Sequence, residues 1–290
     1  MQVMIFGAGY SGKAIAASLE PDSERIYGTT RSPEKFASLS TAGMWPHLFD
    51  GETLGDELLK AMRTTTHLFQ SIAPKNDDDP LLRLTEGDLR RFFPELRWVA
   101  YLSTVGVYGD HDGAWVDEDS PCRPVSSRSV ERLAAENAWS AAALKANLPL
   151  AVLRLSGIYG PSRNAFVNFE KGIARRLVKT GQVFNRIRVE DIGSAGAFLL
   201  RRNEGGIFNI TDDEPSPPQD VVTYAASLMG KEPPPEQAFE TAELTPMARS
   251  FYGENKRVSN GKLSALGFDF EFPNYRMSLE QLWQDGIWRG

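Results

Sequence analysis

The chain has 290 residues, 41% hydrophobic and 24% charged, with a formal net charge of −6. This composition predicts a soluble globular protein, large enough for one broad domain with a smaller partner. It excludes a membrane span, because no apolar run approaches about 20 residues, and the acidic balance excludes general nucleic-acid binding.

Val3 to Phe6 is a short apolar run suited to a buried strand, and Gly7, Gly9 and Gly12 follow in the spacing G-x-G-x-x-G. Ile15, Ala16 and Leu19 then recur at helical spacing. Strand, glycine turn and helix in that order predict a dinucleotide-binding turn. Gly7 permits the tight turn, Gly9 leaves bare backbone for a pyrophosphate, and Gly12 lets helix and strand pack closely. The helix N-terminus, with Tyr10 and Ser11 as first residues, presents amides and positive dipole to phosphate. The start lacks the basic residues and small-residue cleavage site of a signal peptide.

Arg25 to Thr30 reads as the second strand. Where an NAD-preferring unit carries a carboxylate for the ribose 2′-OH, this chain has Thr29-Thr30-Arg31-Ser32. A guanidinium pairs with phosphate through two parallel hydrogen bonds, so Arg31, with Ser32, favours NADP over NAD. Ser32 also precedes Pro33 as a helix cap. Met44 to Phe49 is the third strand. Asp50 at its carboxyl end is placed either to accept from an adenine amino group or to cap a helix starting near Thr53. Leu68 to Ile72 is the fourth strand, and the small residues Ser71 and Ala73 leave room for the riboses of a cofactor. A polar loop over 76–79, a helix from Leu81 to Phe93 and a fifth strand from Trp98 to Leu102 complete the half. Repeated strand–helix units demand a parallel sheet with helices on both faces, an α/β Rossmann, doubly wound fold.

Tyr101-Leu-Ser-Thr-Val-Gly-Val-Tyr-Gly109, Arg154-Leu-Ser-Gly-Ile-Tyr-Gly-Pro161, Arg186-Ile-Arg-Val-Glu-Asp-Ile192 and Phe208-Asn-Ile-Thr-Asp212 follow in order. Together they resemble the extended short-chain dehydrogenases, the NAD-dependent epimerase/dehydratase group, over nearly the whole chain. The resemblance implies a Ser or Thr that orients the reacting oxygen, a Tyr that exchanges its proton, and a Lys that lowers the Tyr pKa and holds the nicotinamide ribose. Thr104 stands at the Ser/Thr position. The Tyr-x-x-x-Lys element should open the helix over 127–146, whose apolar face reads Val130, Leu133, Ala134, Ala138, Ala141 and Leu144. No tyrosine lies from Gly109 to Pro149. Aligned on Leu133-Ala-Ala-Glu136, the Tyr and Lys places fall on Arg128 and Arg132; aligned two residues earlier, on Ser126 and Val130. Arginine does not donate a proton at physiological pH. The chain thus resembles an atypical branch of the family. Tyr108 or Tyr159 is left as a substitute acid, with packing the alternative for Tyr108, and Arg132 as an anion-binding group for ribose, phosphate or a substrate carboxylate.

Asp110-His-Asp-Gly113 lacks the remaining ligands of a calcium loop, and no Cys/His spacing suits zinc, so no metal is expected. The single cysteine, Cys122, fits a reducing cytoplasm. Leu150 to Leu155 is the sixth strand, and Tyr159 and Arg163 then open a substrate loop. Residues 165 to 182 read as a helix with a basic side of Lys171, Arg175, Arg176 and Lys179, joined by Arg163, Arg186 and Arg188. This pattern suits an anionic ligand such as a nucleotide-sugar pyrophosphate, or else a solvated face. A helix over 189–202, a strand over 207–210, a helix over 221–229, a Pro233-Pro-Pro235 linker, a helix over 244–252, another ending at Gly267 and an aromatic tail follow.

The expected architecture is a Rossmann domain of residues 1–160 plus 186–207 and a smaller α/β substrate lobe of 161–185 plus 208–290. The expected function is an NADP-dependent oxidoreductase or epimerase-like enzyme, NAD being the second choice of cofactor. Its expected substrate is a small or nucleotide-linked, anionic carbonyl or hydroxyl compound, with Tyr159, Arg163 and Arg186 as substrate contacts, and a homodimer is compatible. The alternative is a cofactor-binding regulator or scaffold without turnover.

Overall fold

The computed structural model describes residues 1–76 and 78–290; Asp77, inside the expected polar loop, lies outside the described residues. In chain order the elements are β1 (Gln2–Phe6), α1 (Tyr10–Leu19), β2 (Arg25–Thr30), α2 (Phe36–Thr41), β3 (Trp45–Leu48), α3 (Asp56–Thr64), β4 (His67–Gln70), α4 (Pro80–Thr85), α5 (Leu89–Phe92), β5 (Trp98–Thr104), β6 (Trp115–Val116), α6 (Ser127–Lys145), β7 (Leu150–Leu155) and β8 (Gly157–Tyr159). They continue with α7 (Ala165–Glu170), β9 (Arg176–Val178), β10 (Arg186–Arg188), α8 (Val189–Arg201), β11 (Gly206–Ile210), α9 (Pro218–Leu228), β12 (Glu236–Ala238), α10 (Pro246–Phe251), β13 (Arg257–Val258), α11 (Gly261–Ala265) and α12 (Tyr275–Gln284).

Seven strands form one sheet in the order β11-β7-β5-β4-β1-β2-β3. Pairing is parallel from β3 through β2, β1 and β4 to β5. The order reverses direction at β1, the switch point where ligands bind outside the carboxyl ends of such sheets. Val3, Met4, Ile5 and Phe6 are fully buried, as a strand covered on both faces requires.

Two compact units divide the chain: Met1–Val107 with Ser127–Arg154 and Ile192–Phe208, and Tyr108–Ser126 with Leu155–Asp191 and Asn209–Gly290. Residues 108–126, 155–160 and 186–191, expected in the Rossmann domain, fall in the second unit.

In the first unit a buried carboxylate ties three elements together. Asp79 accepts from the Leu81 and Leu82 amides at 3.0 and 3.1 Å, capping α4, from the Gln70 side chain at 2.9 and 3.0 Å, and from Trp139 Nε1 at 2.9 Å. Trp139 of α6 stacks on Tyr101 of β5 with ring centroids 6.2 Å apart. That anchor turns α6 differently from its expected face. Ser129, Ala135, Glu136, Trp139, Ala142 and Ala143 are buried, while Val130 and Leu144 are 46% and 83% exposed. An indole buries about as much apolar area as a valine and a leucine together, and its hydrogen bond to Asp79 and stacking on Tyr101 tip the balance, while the alanines suit either orientation.

Two expected helices are shorter. The one over 81–93 is broken where Glu86 and Gly87 adopt φ of 52° and 64°, and Asp88 caps a new start. The one over 165–182 stops at Glu170, with Gly172 at φ 66°, and residues 176–178 pair in parallel with β12 instead. The core of the second unit joins Phe166, Ala225, Tyr275, Leu279, Leu282 and Trp288, so the aromatic tail packs into it. Among the described residues no helix is long and apolar enough to cross a membrane, and no His, Cys, Asp and Glu group could hold a metal ion.

Candidate functional site

The turn after β1 is pinned from β2. Thr29 takes the Gly7 amide on its hydroxyl and the Ala8 amide on its carbonyl, both at 2.9 Å. Gly7 has φ +79°, and a Cβ there would lie 2.9 Å from Ile72 Cγ1 and 3.1 Å from the Ile72 amide. Gly12 is held by space: its Cβ would lie 3.1 Å from Ile5 Cγ2. Gly9 differs, since a Cβ would meet only Gly7 O, 3.9 Å away. The protein therefore does not require glycine at position 9 for packing. No side chain caps α1 there, so the amides of its first turn, around Tyr10 and Ser11, face an exposed Gly9.

Arg31 is exposed, and among the described residues it makes no hydrogen bond or ion pair. Ser32 donates its amide to Thr30 Oγ1 at 3.2 Å. Its side chain does not cap the short 3₁₀ turn that follows. Its hydroxyl instead helps hold the Glu34 carboxyl below its ordinary range, second to Glu34's own backbone. Lys13 Nζ reaches Ser38 Oγ, which brings a second cation to the start of α2. Asp50 Oδ1 accepts from the Glu52 and Thr53 amides at 2.8 and 3.2 Å, which lowers its pKa. Because α3 begins only at Asp56, Asp50 closes a turn and is not a helix cap. Ser71 is half-buried and Ala73 exposed, just beyond β4.

At the carboxyl end of β5, Thr104 Oγ1 accepts the Gly106 amide at 3.1 Å. A Cβ on Gly106 would lie 3.4 Å from that oxygen and 2.7 Å from Ser129 Oγ, so α6 delivers a buried hydroxyl close to Thr104. Behind them, Glu136 Oε1 accepts from Ser103 Oγ at 2.5 Å, and its two oxygens accept from Arg154 Nε and Nη2 at 3.2 and 2.8 Å. Arg132 Nη1 donates to Leu102 O at 2.6 Å and to Tyr101 Oη at 3.3 Å. Burial pushes the Tyr101 hydroxyl up to about 12, against the pull of Arg132. The cation expected near the Lys place is thus fixed beside β5, while Arg128 is exposed.

Tyr108 is fully buried and donates its hydroxyl to Asn209 Oδ1 at 2.8 Å. This is the packing role. Tyr159 has a buried hydroxyl with no hydrogen bond, and burial, with Asp212 nearby, pushes its pKa up. Arg163 is exposed in the loop after β8. Arg186 donates Nη1 to Phe184 O, Ser216 O and Ser216 Oγ at 3.0, 3.2 and 2.7 Å. The expected basic helix face does not exist. Arg175 donates to Glu243 O, Arg176 pairs with Glu236, Lys179 donates to Tyr252 O, and Arg188 is buried against Glu190, Ser278 and Gln281. Sequence reasoning missed Thr29, Ser129 and Asp212; a hydroxyl or carboxyl just beyond a strand's carboxyl end was the available signal for Asp212.

Residues 89–210 match the family model described as NAD dependent epimerase/dehydratase family. Comparison with curated protein sequences gives no match. Among solved structures, a functionally unknown conserved protein from Silicibacter pomeroyi DSS is 45% identical, with TM-score 0.88 and 98% of each chain covered. A putative NAD-dependent epimerase/dehydratase from Methylobacillus flagellatus is 25% identical, with TM-score 0.74 and 98% of each chain covered. Human epimerase family protein SDR39U1 with NADPH shares the fold at 18% identity and TM-score 0.74, over 98% of this chain and 100% of that one. A switch-point glycine turn, a Thr at the end of β5 and these likenesses agree: the chain belongs to the NAD-dependent epimerase/dehydratase family of extended short-chain dehydrogenases.

Proposed function

We propose that the protein is an NADP(H)-dependent oxidoreductase or epimerase-like enzyme acting on a small or nucleotide-linked carbonyl or hydroxyl substrate, with a proton donor other than the family tyrosine. The observation that carries this is the open space at Gly9 before an uncapped helix. A Cβ would fill a cradle that no part of the protein occupies, and a pyrophosphate fits that donor set. The amides of Tyr10, Ser11 and Gly12 would hold it, with Gly9, whose own amide donates to Gly7 O at 2.7 Å, leaving the approach clear. Arg31, unengaged, would pair with a 2′-phosphate, with Ser32 beside it. The open Oδ2 of Asp50 would take the adenine amino group, and Ser71 and Ala73 would line the riboses. When bound, the cofactor supplies the group that takes up or gives hydride.

The remaining work belongs to the chain. Thr104 receives a hydrogen bond from Gly106 and keeps its own proton to donate to a substrate oxygen. Arg132, anchored on Leu102, keeps its other guanidinium nitrogens for ribose or substrate oxygens. Tyr159, Arg163 and Arg186 contact an anionic substrate. The exposed Val130 and Leu144 on α6 favour a homodimer, and a lone cysteine favours a reducing cytoplasm. NADPH titration followed by an absorbance screen over carbonyl compounds and nucleotide sugars tests the proposal. No binding of NADPH or NADH would reject it. The engagement of Tyr108 favours a second reading, a cofactor-binding regulator. Its signature is NADPH binding without turnover anywhere in the panel.

A further inference from the structure

Within the second unit, polar groups without partners gather at one place. Ser156 directly follows β7, Tyr159 ends β8, Arg186 opens β10, and Asp212 lies two residues past β11. The β8–β10 pairing sets Gly157 against Arg186 and Tyr159 against Arg188. The Asp212 amide and the Thr211 hydroxyl both donate to Arg186 O, at 2.8 and 3.2 Å, and fix the β11 exit on β10.

The side chains there are held but not satisfied. Arg186 spends only Nη1 on protein, all of it on Phe184 and Ser216, and its Nε and Nη2 donate nothing among the described residues. Asp212 is 1% exposed. Its Oδ1 accepts the Glu214 amide at 3.3 Å, whereas its Oδ2 has no partner. The Tyr159 hydroxyl and Ser156 Oγ are likewise buried and unpartnered. Arg186 and Asp212 feel each other's charge without forming an ion pair. A half-buried arginine and a buried aspartate left apart lose attraction that would offset their desolvation, and the unsatisfied buried atoms of Asp212, Tyr159 and Ser156 need a ligand or water.

The edge of a guanidinium formed by Nε and Nη2 matches the two oxygens of one carboxylate. Asp212 beside it opposes a phosphate dianion more than a monoanion. Its buried Oδ2, which has no donor, can accept from a substrate hydroxyl, and the Tyr159 hydroxyl can donate to the same oxygen. We propose that Arg186, Asp212 and Tyr159 recognise a hydroxylated carboxylate, its carboxylate on the open edge of Arg186 and a neighbouring oxygen between Asp212 Oδ2 and the Tyr159 hydroxyl. This rests on the reading that the second unit takes the substrate, and it names the substrate class.

The test uses the full chain, with and without NADP, and isothermal titration with four probes: gluconate, sorbitol lacking the carboxylate, hexanoate lacking the hydroxyls, and inorganic phosphate. Gluconate should bind at least about tenfold more tightly than the other three. Arg186→Gln should weaken gluconate about 30-fold or more, with Arg186→Lys recovering part. Because Arg186→Gln also removes contacts to Ser216, Tyr159→Phe is the second variant. It deletes a hydroxyl whose one side-chain hydrogen-bonding neighbour is Ser278, so it should leave the melting temperature nearly unchanged while weakening gluconate about fivefold or more. Gluconate that does not bind at about 50 mM, sorbitol or phosphate that binds as well, or Tyr159→Phe binding gluconate like the wild type would each overturn the inference. Failure of NADPH to bind is a separate result that rejects the functional reading; gluconate failing while NADPH binds rejects this inference alone.

Discussion

Gly9→Ala isolates the cofactor cradle from the fold. Gly9 has φ −87° and ψ −146°, so its φ is not left-handed, and the new methyl would touch nothing nearer than Gly7 O at 3.9 Å. The cost to stability is that of alanine at an N-cap, up to about 1 kcal/mol, or roughly 2–3 °C in melting temperature. Cofactor binding should respond far more. Phosphate oxygens sit about 2.9 Å from the amides that hold them, and a methyl on the approach side displaces them by about an ångström. Losing two charge-assisted hydrogen bonds, at about 1.5–3 kcal/mol each, weakens NADPH about 100-fold or more. Gly12→Ala is the contrast, since its methyl would lie 3.1 Å from Ile5 Cγ2 and 3.4 Å from Gly7 O. It should cost about 1–3 kcal/mol of stability by overpacking. NADPH fluorescence titration and thermal melts of both variants read the outcome. Gly9→Ala binding NADPH within about threefold of wild type would refute a pyrophosphate at this turn.

Arg31→Ala should weaken NADPH about tenfold or more and leave NADH nearly unchanged, since only the 2′-phosphate distinguishes them; equal losses reject the assignment. Thr104→Ala should remove turnover and spare NADPH affinity, and retained turnover would end its role. Asp191 is fully buried, its oxygens accepting from the Glu271 and Phe272 amides at 2.9 and 3.0 Å, and burial raises its pKa to about 6. An acid whose pKa rises on folding stabilises most below its unfolded pKa and loses that contribution as pH climbs to the folded value. Between about pH 4 and 6 its contribution should fall by about 3 kcal/mol. Asp191→Asn lacks this slope, so denaturant melts should show it gaining on wild type by about that amount between pH 4 and 7; a constant difference contradicts the account.

Sequence resolved what is set locally. Arg25–Thr30 and Leu150–Leu155 are strands at the expected residues; Leu150–Leu155 is the short, nearly continuous apolar run of a buried parallel strand, while Arg25–Thr30 was legible from its place after the first helix. Gly7 and Gly12 answer to the neighbouring atoms of Ile72 and Ile5, whereas Gly9 answers to no protein atom nearer than Gly7 O at 3.9 Å; only the G-x-G-x-x-G spacing made all three legible. The break after Thr85 was not legible, because Glu86 carries the left-handed conformation that glycine would have signalled. The orientation of α6 was set by the indole of Trp139 reaching Asp79, 60 residues away in sequence. The 171–179 cations looked like a helix face because their acceptors are partly backbone carbonyls, which no side-chain pattern reveals.

The same distinction separates scaffold from site among buried charges. Arg188 is fully buried, and all three of its guanidinium nitrogens donate, to Glu190, Ser278 and Gln281, with Phe272 stacked 4.2 Å away. Such a residue fastens α12 to β10 and has little left for a ligand. Arg186, two positions earlier on the same strand, keeps one edge unspent. Glu136 and Asp212 differ in the same way: Glu136 is filled by Ser103 and Arg154, while Asp212 keeps a buried oxygen without a donor. Folding stability alone selects against the second member of each pair, since an unmet buried polar group costs about 1–3 kcal/mol. A fold that retains both, one opening β10 and the other just past β11, is compensated when a ligand supplies the missing partners.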